Sequence, residues 1–341
     1  MNKKKRIAIN GFGRIGRALT KINLENFNFE LVLINDINPN VHNMSYLYKY
    51  DSTYGNTDDK VSHDKNHIII NDNKILYLSE SSILDIDWKK YDVDCIIDSS
   101  GVESNVLGLR EILDKKFVKK GIITHSSNLV DNEIIVGIND DEIKPNQKLF
   151  SSSICDANAI SHVLKYIDSC YKIQSGSVTT VHPWLSYQNL VDGPSKSQIT
   201  PGKMWTDFSL GRASNNTLIP KKTTAVSATE KVLSKLKDKL LSFSYRVPTD
   251  IVSGSDITII PKNIPSKKQL VDEFENEFIS NPLVELNYDS KISLDYKKNN
   301  HSCIIDMQWL NVKNGIIKVI VWYDNEWGYS SRVLDLAKII S

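Results

Sequence analysis

Two side chains in the second half of the chain have the chemistry of a covalent catalyst. Cys155 stands in SSSICDANAI, residues 151–160, and His182 ends SVTTVH, residues 177–182. Thiolate is the nucleophilic form of cysteine, and a nearby imidazole is well suited to generate it and to move the proton afterwards. Ala159, Ile160, Val163, Leu164, Ile167 and Tyr171 recur at three- and four-residue steps, which predicts a helix from Asn158 onward with one buried face. Cys155 falls at its N-terminal edge, where unpaired backbone N–H groups and the helix dipole favour thiolate. Ser177 to Val181 alternate as a strand does, placing His182 just past the apolar end. Asp156 complicates the pair. Its charge raises the pKa of the adjacent thiol and leaves more of the activation to His182. The same carboxylate can cap the helix, orient a water or bind a substrate hydroxyl. The other histidines, His42, His63, His67, His125, His162 and His301, suit surface or satisfied core roles.

The first half supplies a place for a second reactant. In RIAINGFGRIGRALTKI a strand, Ile7 to Ile9, runs into Gly11, Gly13 and Gly16, and Ile15, Leu19 and Ile22 are spaced for the helix that follows. Gly11 allows the tight turn, Gly13 lets a pyrophosphate approach the backbone, Gly16 lets helix pack on strand, and the helix N-terminus attracts the anion. The next strand, ELVLIND, ends at Asp36, 20 residues beyond Gly16. An acid there meets the adenosine ribose hydroxyls and repels a 2′-phosphate, so NAD is favoured over NADP. DCIIDSSG and KKGIITHSSN read as later parallel strands lining the same crevice, which makes Ser100 and Thr124 either cofactor contacts or plain turn residues. Cys95, inside an apolar run, reads as an inert core thiol.

Composition narrows the class. With 341 residues the chain is long enough for two domains, and 42 basic against 41 acidic residues leave a net charge of +1. That balance argues against nucleic acid and anionic membrane surfaces and leaves a small molecule as the partner. No apolar run approaches the ~20 residues of a bilayer span. Cys95, Cys155, Cys170 and Cys303 stand far apart without a C-x-x-C pair, against both a zinc site and a disulfide framework. The expectation is a cytoplasmic protein that holds no metal.

INGFGRIGR, YKYDSTYG (48–55), Cys155 with Asn158, TTVH with VDGPS (191–195), LIP (218–220), YRVPT (245–249) and WYDNEWGYSSR (322–332) fall in order along the whole chain. In this set of motifs the chain resembles the glyceraldehyde-3-phosphate dehydrogenase family. The resemblance implies an α/β protein. An NAD-binding Rossmann domain would span residues 1–153, and an α+β catalytic domain with a mostly antiparallel sheet would span 154–328. A C-terminal helix at 329–341, apolar from about Ser330 to Ile340, would return to the first domain. It further implies Cys155 as nucleophile toward an aldehyde, His182 as general base, and a hemithioacetal oxidised to a thioester. Asn325 would hold the nicotinamide carboxamide, Arg14 and Ile15 the pyrophosphate, and Asp36 the ribose, in a homotetramer.

The sequence also departs from the family pattern. Ile154 and Asp156 flank Cys155 where the family carries hydroxyls that help hold the attacking phosphate. Thr223 stays at a phosphate-ligand position, but Thr224 replaces the glycine beside it. Leu185 and Tyr187 replace two threonines of the pocket for the substrate's own phosphate, whereas Arg246 remains. Lys221 and Lys222 add cations, and the loop at 192–214 is lengthened. These changes point to NAD-dependent oxidation of a sugar-type, phosphorylated aldehyde with water as acyl acceptor, as in the erythrose-4-phosphate branch. An ordinary phosphorylating glyceraldehyde-3-phosphate dehydrogenase and an NAD-binding family member without catalysis are the alternatives.

Overall fold

The computed structural model describes residues 4–27 and 29–340. Met1 to Lys3, which open the basic N-terminal run, Asn28 and Ser341 lie outside the described residues. Among the described residues the strands form two sheets, one of nine strands and one of eight. The centre of the first runs Asn73–Leu78, Glu30–Asn35, Arg6–Asn10, Cys95–Asp98, Lys120–Ile123 and Leu149–Ser151, with every neighbour parallel. Strands buried on both faces must be apolar throughout, which is why RIAIN, ELVLIN and CIID read as nearly unbroken hydrophobic runs. The strand order reverses between Arg6–Asn10 and Cys95–Asp98, so a crevice opens at their carboxyl ends, where the glycine turn lies.

The second sheet runs Ile219–Lys221, Leu240–Val247, Ile173–Pro183, Ser253–Pro261, Ile316–Tyr323, Cys303–Asp306 and Val284–Asn287. Two of its pairings are parallel and the rest antiparallel. The helix Cys155–Tyr171 lays Ile160, Val163, Leu164 and Ile167 on this sheet against Ile257, Val319 and Val321. It starts at Cys155, three residues before the predicted Asn158. The apolar stripe marks only where burial begins, and Asn158 serves the first turn through its side chain instead. The last helix, Trp327–Ile340, likewise begins three residues before the predicted Ser330. It packs Val333, Leu334, Leu336 and Ala337 into the first core beside Leu19 and Ile22 of the helix Arg14–Ile22. No described helix is long and apolar enough to cross a membrane.

Beneath the glycine turn, Asp98 is fully buried, and its Oδ1 accepts from Asn10 Nδ2 at 2.8 Å while Oδ2 has no partner among the described residues. Burial pushes its pKa up to about 6. A folded value above the unfolded one means the native state holds the proton more tightly, so this group's contribution is full below about pH 4 and is lost as pH rises toward 6. The shift corresponds to about 3 kcal/mol at neutral pH. Urea midpoints of wild type and Asp98→Asn between about pH 4.5 and 7 are expected to diverge in the variant's favour as pH rises, with a constant gap counting against this account.

Candidate active site

Local geometry delivers Cys155 to the mouth between the sheets. After the strand Leu149–Ser151 the chain turns through Ser153, whose φ of +55° is in the left-handed region that non-glycine residues rarely adopt. Three bonds hold that turn. Ser153 Oγ donates to Glu133 Oε1 at 2.6 Å, Ser153 N donates to Ser151 Oγ at 2.9 Å, and Tyr329 Oη donates to the Ser153 carbonyl at 3.0 Å. Asn158 Nδ2 donates back to the carbonyls of Ser152 and Ile154, locking the first helical turn to the strand exit. Ile154, at the N-cap, packs with Ile135, Ala157 and Ala228, which accounts for an apolar residue there.

His182 lies inside the long strand Ile173–Pro183 rather than just beyond a shorter one. Its Nδ1 faces the Pro183 carbonyl at 2.8 Å, so Nδ1 carries the proton and Nε2 presents its lone pair to Cys155 Sγ, 3.8 Å away. Cys155 Sγ also faces Asp156 Oδ1 at 3.6 Å. The thiol proton therefore has two acceptors. Asp156 Oδ1 accepts from Tyr323 Oη at 2.6 Å and Oδ2 from Thr223 Oγ1 at 3.4 Å. Burial and then the Asp156 charge hold the Cys155 thiol well above its ordinary range. The helix dipole does not prevail, contrary to what its position at the helix start suggested. Burial, reinforced by the Arg246 charge, lowers the His182 pKa to about 3. The resting pair is a neutral thiol facing a neutral imidazole. Burial and Asp156 likewise keep the Tyr323 hydroxyl protonated and donating.

Strand register sets Arg246 directly beside His182. Its Nη2 donates to Tyr187 Oη at 3.3 Å, whereas the buried Nε has no partner among the described residues. Burial would raise the Tyr187 hydroxyl, but Arg246 and Lys221 outweigh it and set the pKa below its ordinary value. Trp205, from the lengthened loop, packs edge-on against the Tyr187 ring at 4.9 Å. Leu185 is half-buried and turns at Gln188. Thr224, exposed at the start of the helix Ala225–Val232, has φ −96° and so needs no glycine.

In the first sheet the glycine turn is shaped for a dinucleotide. Gly11 has φ +92° and a Cβ there would lie 2.6 Å from Ser100 N; at Gly16 it would lie 2.1 Å from the Gly11 carbonyl. A Cβ at Gly13 would meet nothing within 4 Å among the described residues, leaving an open cradle that a pyrophosphate fits. Asp36 sits against this loop, its Oδ2 accepting from Phe12 N at 2.7 Å. Asn325 Oδ1 accepts from Val252 N at 3.1 Å, which fixes the orientation of the amide. Val252 itself has φ +73°, a strained value for a β-branched residue.

Three residues beside the first sheet have side chains turned to other tasks. The Arg14 guanidinium is held by Glu326 at 2.7 Å and Asp51 at 2.8 Å, which leaves its backbone, with that of Ile15, for an anion at the helix start. Ser100 Oγ accepts from Val102 N and Asn105 Nδ2, a turn role. Thr124 Oγ1 donates to the Asp98 carbonyl at 3.3 Å. Cys95 is buried and its thiol pushed up to about 12, as suits an inert core position.

Residues 5–105 match the model of the glyceraldehyde 3-phosphate dehydrogenase NAD-binding domain, and residues 154–325 match that of the C-terminal domain of the same enzyme. The chain belongs to the glyceraldehyde-3-phosphate dehydrogenase family. It is 35% identical over 341 residues to glyceraldehyde-3-phosphate dehydrogenase 2 of Kluyveromyces marxianus, covering 98% of this chain and 99% of that one. It is 36% identical over 344 residues to the Wickerhamomyces ciferrii enzyme, with 98% of each covered. Glyceraldehyde-3-phosphate dehydrogenase 2 of Saccharomyces cerevisiae is 33% identical over 345 residues, covering 98% of this chain and 99% of that one. This family member is an NAD-dependent oxidoreductase.

Tyr323, Trp205 and the Arg14 clamp carried no assigned role in the sequence. For Tyr323 a signal existed, because Val319, Val321 and Tyr323 alternate inward along Ile316–Tyr323. The absence of C-x-x-C spacing says nothing about side chains brought together from distant positions. Cys155, Asp156 and His182 place one ligand atom each within 4.8 Å of one another, from positions that spacing could not connect.

Proposed function

We propose that this dehydrogenase oxidises a sugar-type aldehyde bearing an anionic group, through a Cys155 hemithioacetal and thioester, and releases the acid by hydrolysis. Cys155 Sγ attacks the aldehyde carbon while its proton passes to His182 Nε2, which Pro183 holds in the accepting tautomer. Bound NAD supplies the hydride acceptor. Gly11, Gly13, Gly16 and the Arg14 and Ile15 backbone hold its pyrophosphate, Asp36 its ribose and Asn325 its carboxamide. His182 returns that proton to the adduct's oxygen, draws it back as the adduct is oxidised, releases it to solvent, and next deprotonates the attacking water. Arg246 offers its unpartnered Nε–H to the substrate anion, with Tyr187 and Lys221 completing that pocket. Outward apolar side chains on the second sheet, Leu241 at 78% exposure with Phe243, Tyr245 and Val181, support a homotetramer. All four cysteines are unbridged, which supports a cytoplasmic setting.

The observation that carries hydrolytic release is Asp156 beside the sulfur, with Thr223 turned toward it. Each unit of phosphate charge within ~4 Å of that carboxylate meets about 4 kcal/mol of repulsion at an effective dielectric near 20. The names of the relatives favour a second reading, phosphorylating oxidation of glyceraldehyde 3-phosphate. NADH formation with and without inorganic phosphate separates the two. The expected result is phosphate-independent turnover in wild type and phosphate stimulation in Asp156→Thr. Strong phosphate dependence of the wild type would select the second reading.

A further inference from the structure

Three side chains around the sulfur bring together ligand atoms of the kinds that divalent metals take. Zinc bonds of about 2.3 Å to sulfur and 2.0–2.2 Å to nitrogen and oxygen set tetrahedral ligand atoms about 3.3–3.6 Å apart. Cys155 Sγ lies 3.6 Å from Asp156 Oδ1 and 3.8 Å from His182 Nε2, so two edges of that tetrahedron already stand within a few tenths of an ångström. The third edge, between the Asp156 carboxylate and His182 Nε2, is at most 4.8 Å. Ligand number alone does not make a site, and here each ligand is also oriented from behind. His182 Nδ1 is tied to the Pro183 carbonyl, which aims Nε2 inward, and the Asp156 oxygens accept from Tyr323 and Thr223. Outer contacts of this kind set the tautomer and pitch of metal ligands. Of the three residues Asp156 and His182 are buried, and Cys155 is the least buried.

We propose that Cys155, Asp156 and His182 bind one Zn²⁺ per chain through Sγ, a carboxylate oxygen and Nε2, with a solvent molecule in the fourth position. The S–H bond breaks as the S–Zn bond forms, and the proton goes to solvent. A sulfur so engaged cannot form an acyl adduct, so the metal acts as a reversible stopper on the thiol. Asp156 decides it: cysteine and histidine alone offer two ligands, and the carboxylate closes the set. This follows from the geometry of the three side chains and holds whichever group accepts the acyl unit.

The test is Co²⁺ titration of the full-length protein after chelator treatment, in the absence of cofactor and substrate. The expected spectrum combines thiolate-to-cobalt charge transfer with visible bands of four-coordinate intensity, saturating at one equivalent per chain and erased by Zn²⁺. Cys155→Ser is expected to abolish the charge-transfer band. Asp156→Asn keeps the size of the side chain and one of its two acceptor oxygens, and is expected to weaken Zn²⁺ at least ~10-fold by chelator competition. Circular dichroism checks that both variants are folded. A folded protein with no Cys155-dependent band, or an Asp156→Asn affinity equal to wild type, would overturn the proposal. Because no turnover enters the measurement, its result is independent of the hydrolytic reading.

Discussion

Cys155→Ser is expected to lower NAD-dependent aldehyde oxidation by about four orders of magnitude or more. Removing the nucleophile of a catalytic unit typically costs on the order of 10⁴–10⁶ in rate, since the remaining groups then act on nothing. Serine keeps the shape at the helix start and the bonds around Ser153 and Asn158, so a loss of activity with an unchanged dichroism spectrum is chemical in origin. NADH absorbance measures the rate, and mass spectrometry of the quenched wild type is expected to find an acyl group on the peptide containing Cys155. Turnover within about tenfold of wild type would mean that the reaction does not pass through this sulfur.

What the sequence disclosed and what it withheld divide along a physical line. Local chemistry was legible: the three glycines can be read because only a residue without Cβ fits against Ser100 or the Gly11 carbonyl, and such constraints appear as fixed spacings. The parallel core showed itself as apolar runs, and the last helix as a repeat of buried positions. Element ends were less legible. Cys155 and Trp327 begin their helices before any apolar stripe appears, because first turns are fixed by side-chain bonds and by tertiary contacts. Least legible was the environment of Asp156. Its donors, Tyr323 and Thr223, come from positions 167 and 67 residues away, and no periodicity relates them. The same holds for Arg14, whose partners Asp51 and Glu326 turn a guanidinium suited to phosphate into a clamp joining the first helix to the approach of the last. The thiol itself shows why position alone misleads. A helix start favours thiolate by at most ~2 kcal/mol, whereas burial beside a carboxylate acts on the same atom at far shorter range and prevails.

His182→Asn is expected to cost about 10²–10⁴ in turnover, the usual range for a positioned general base. Asparagine preserves a polar group toward the Pro183 carbonyl but has no lone pair able to take and return the Cys155 proton at Nε2. The pH dependence provides a sharper reading. With a pKa near 3 the imidazole is neutral across the assay range, so lowering pH from about 8 to 6 should produce no loss through its protonation. The thiol lies on the opposite side: its raised value means thiolate grows with pH, and iodoacetamide labelling of Cys155 should climb through pH 9 without reaching a plateau. Substituting Asp156 by Asn removes the negative charge beside the sulfur and should move that labelling curve to lower pH. Burial, the larger cause, remains, so the shift is expected to be partial. A wild-type curve that levels off near pH 6 would mean a thiolate–imidazolium pair at rest, with the Asp156 carboxylate then stabilising the imidazolium and outweighing the desolvation that otherwise keeps both groups neutral.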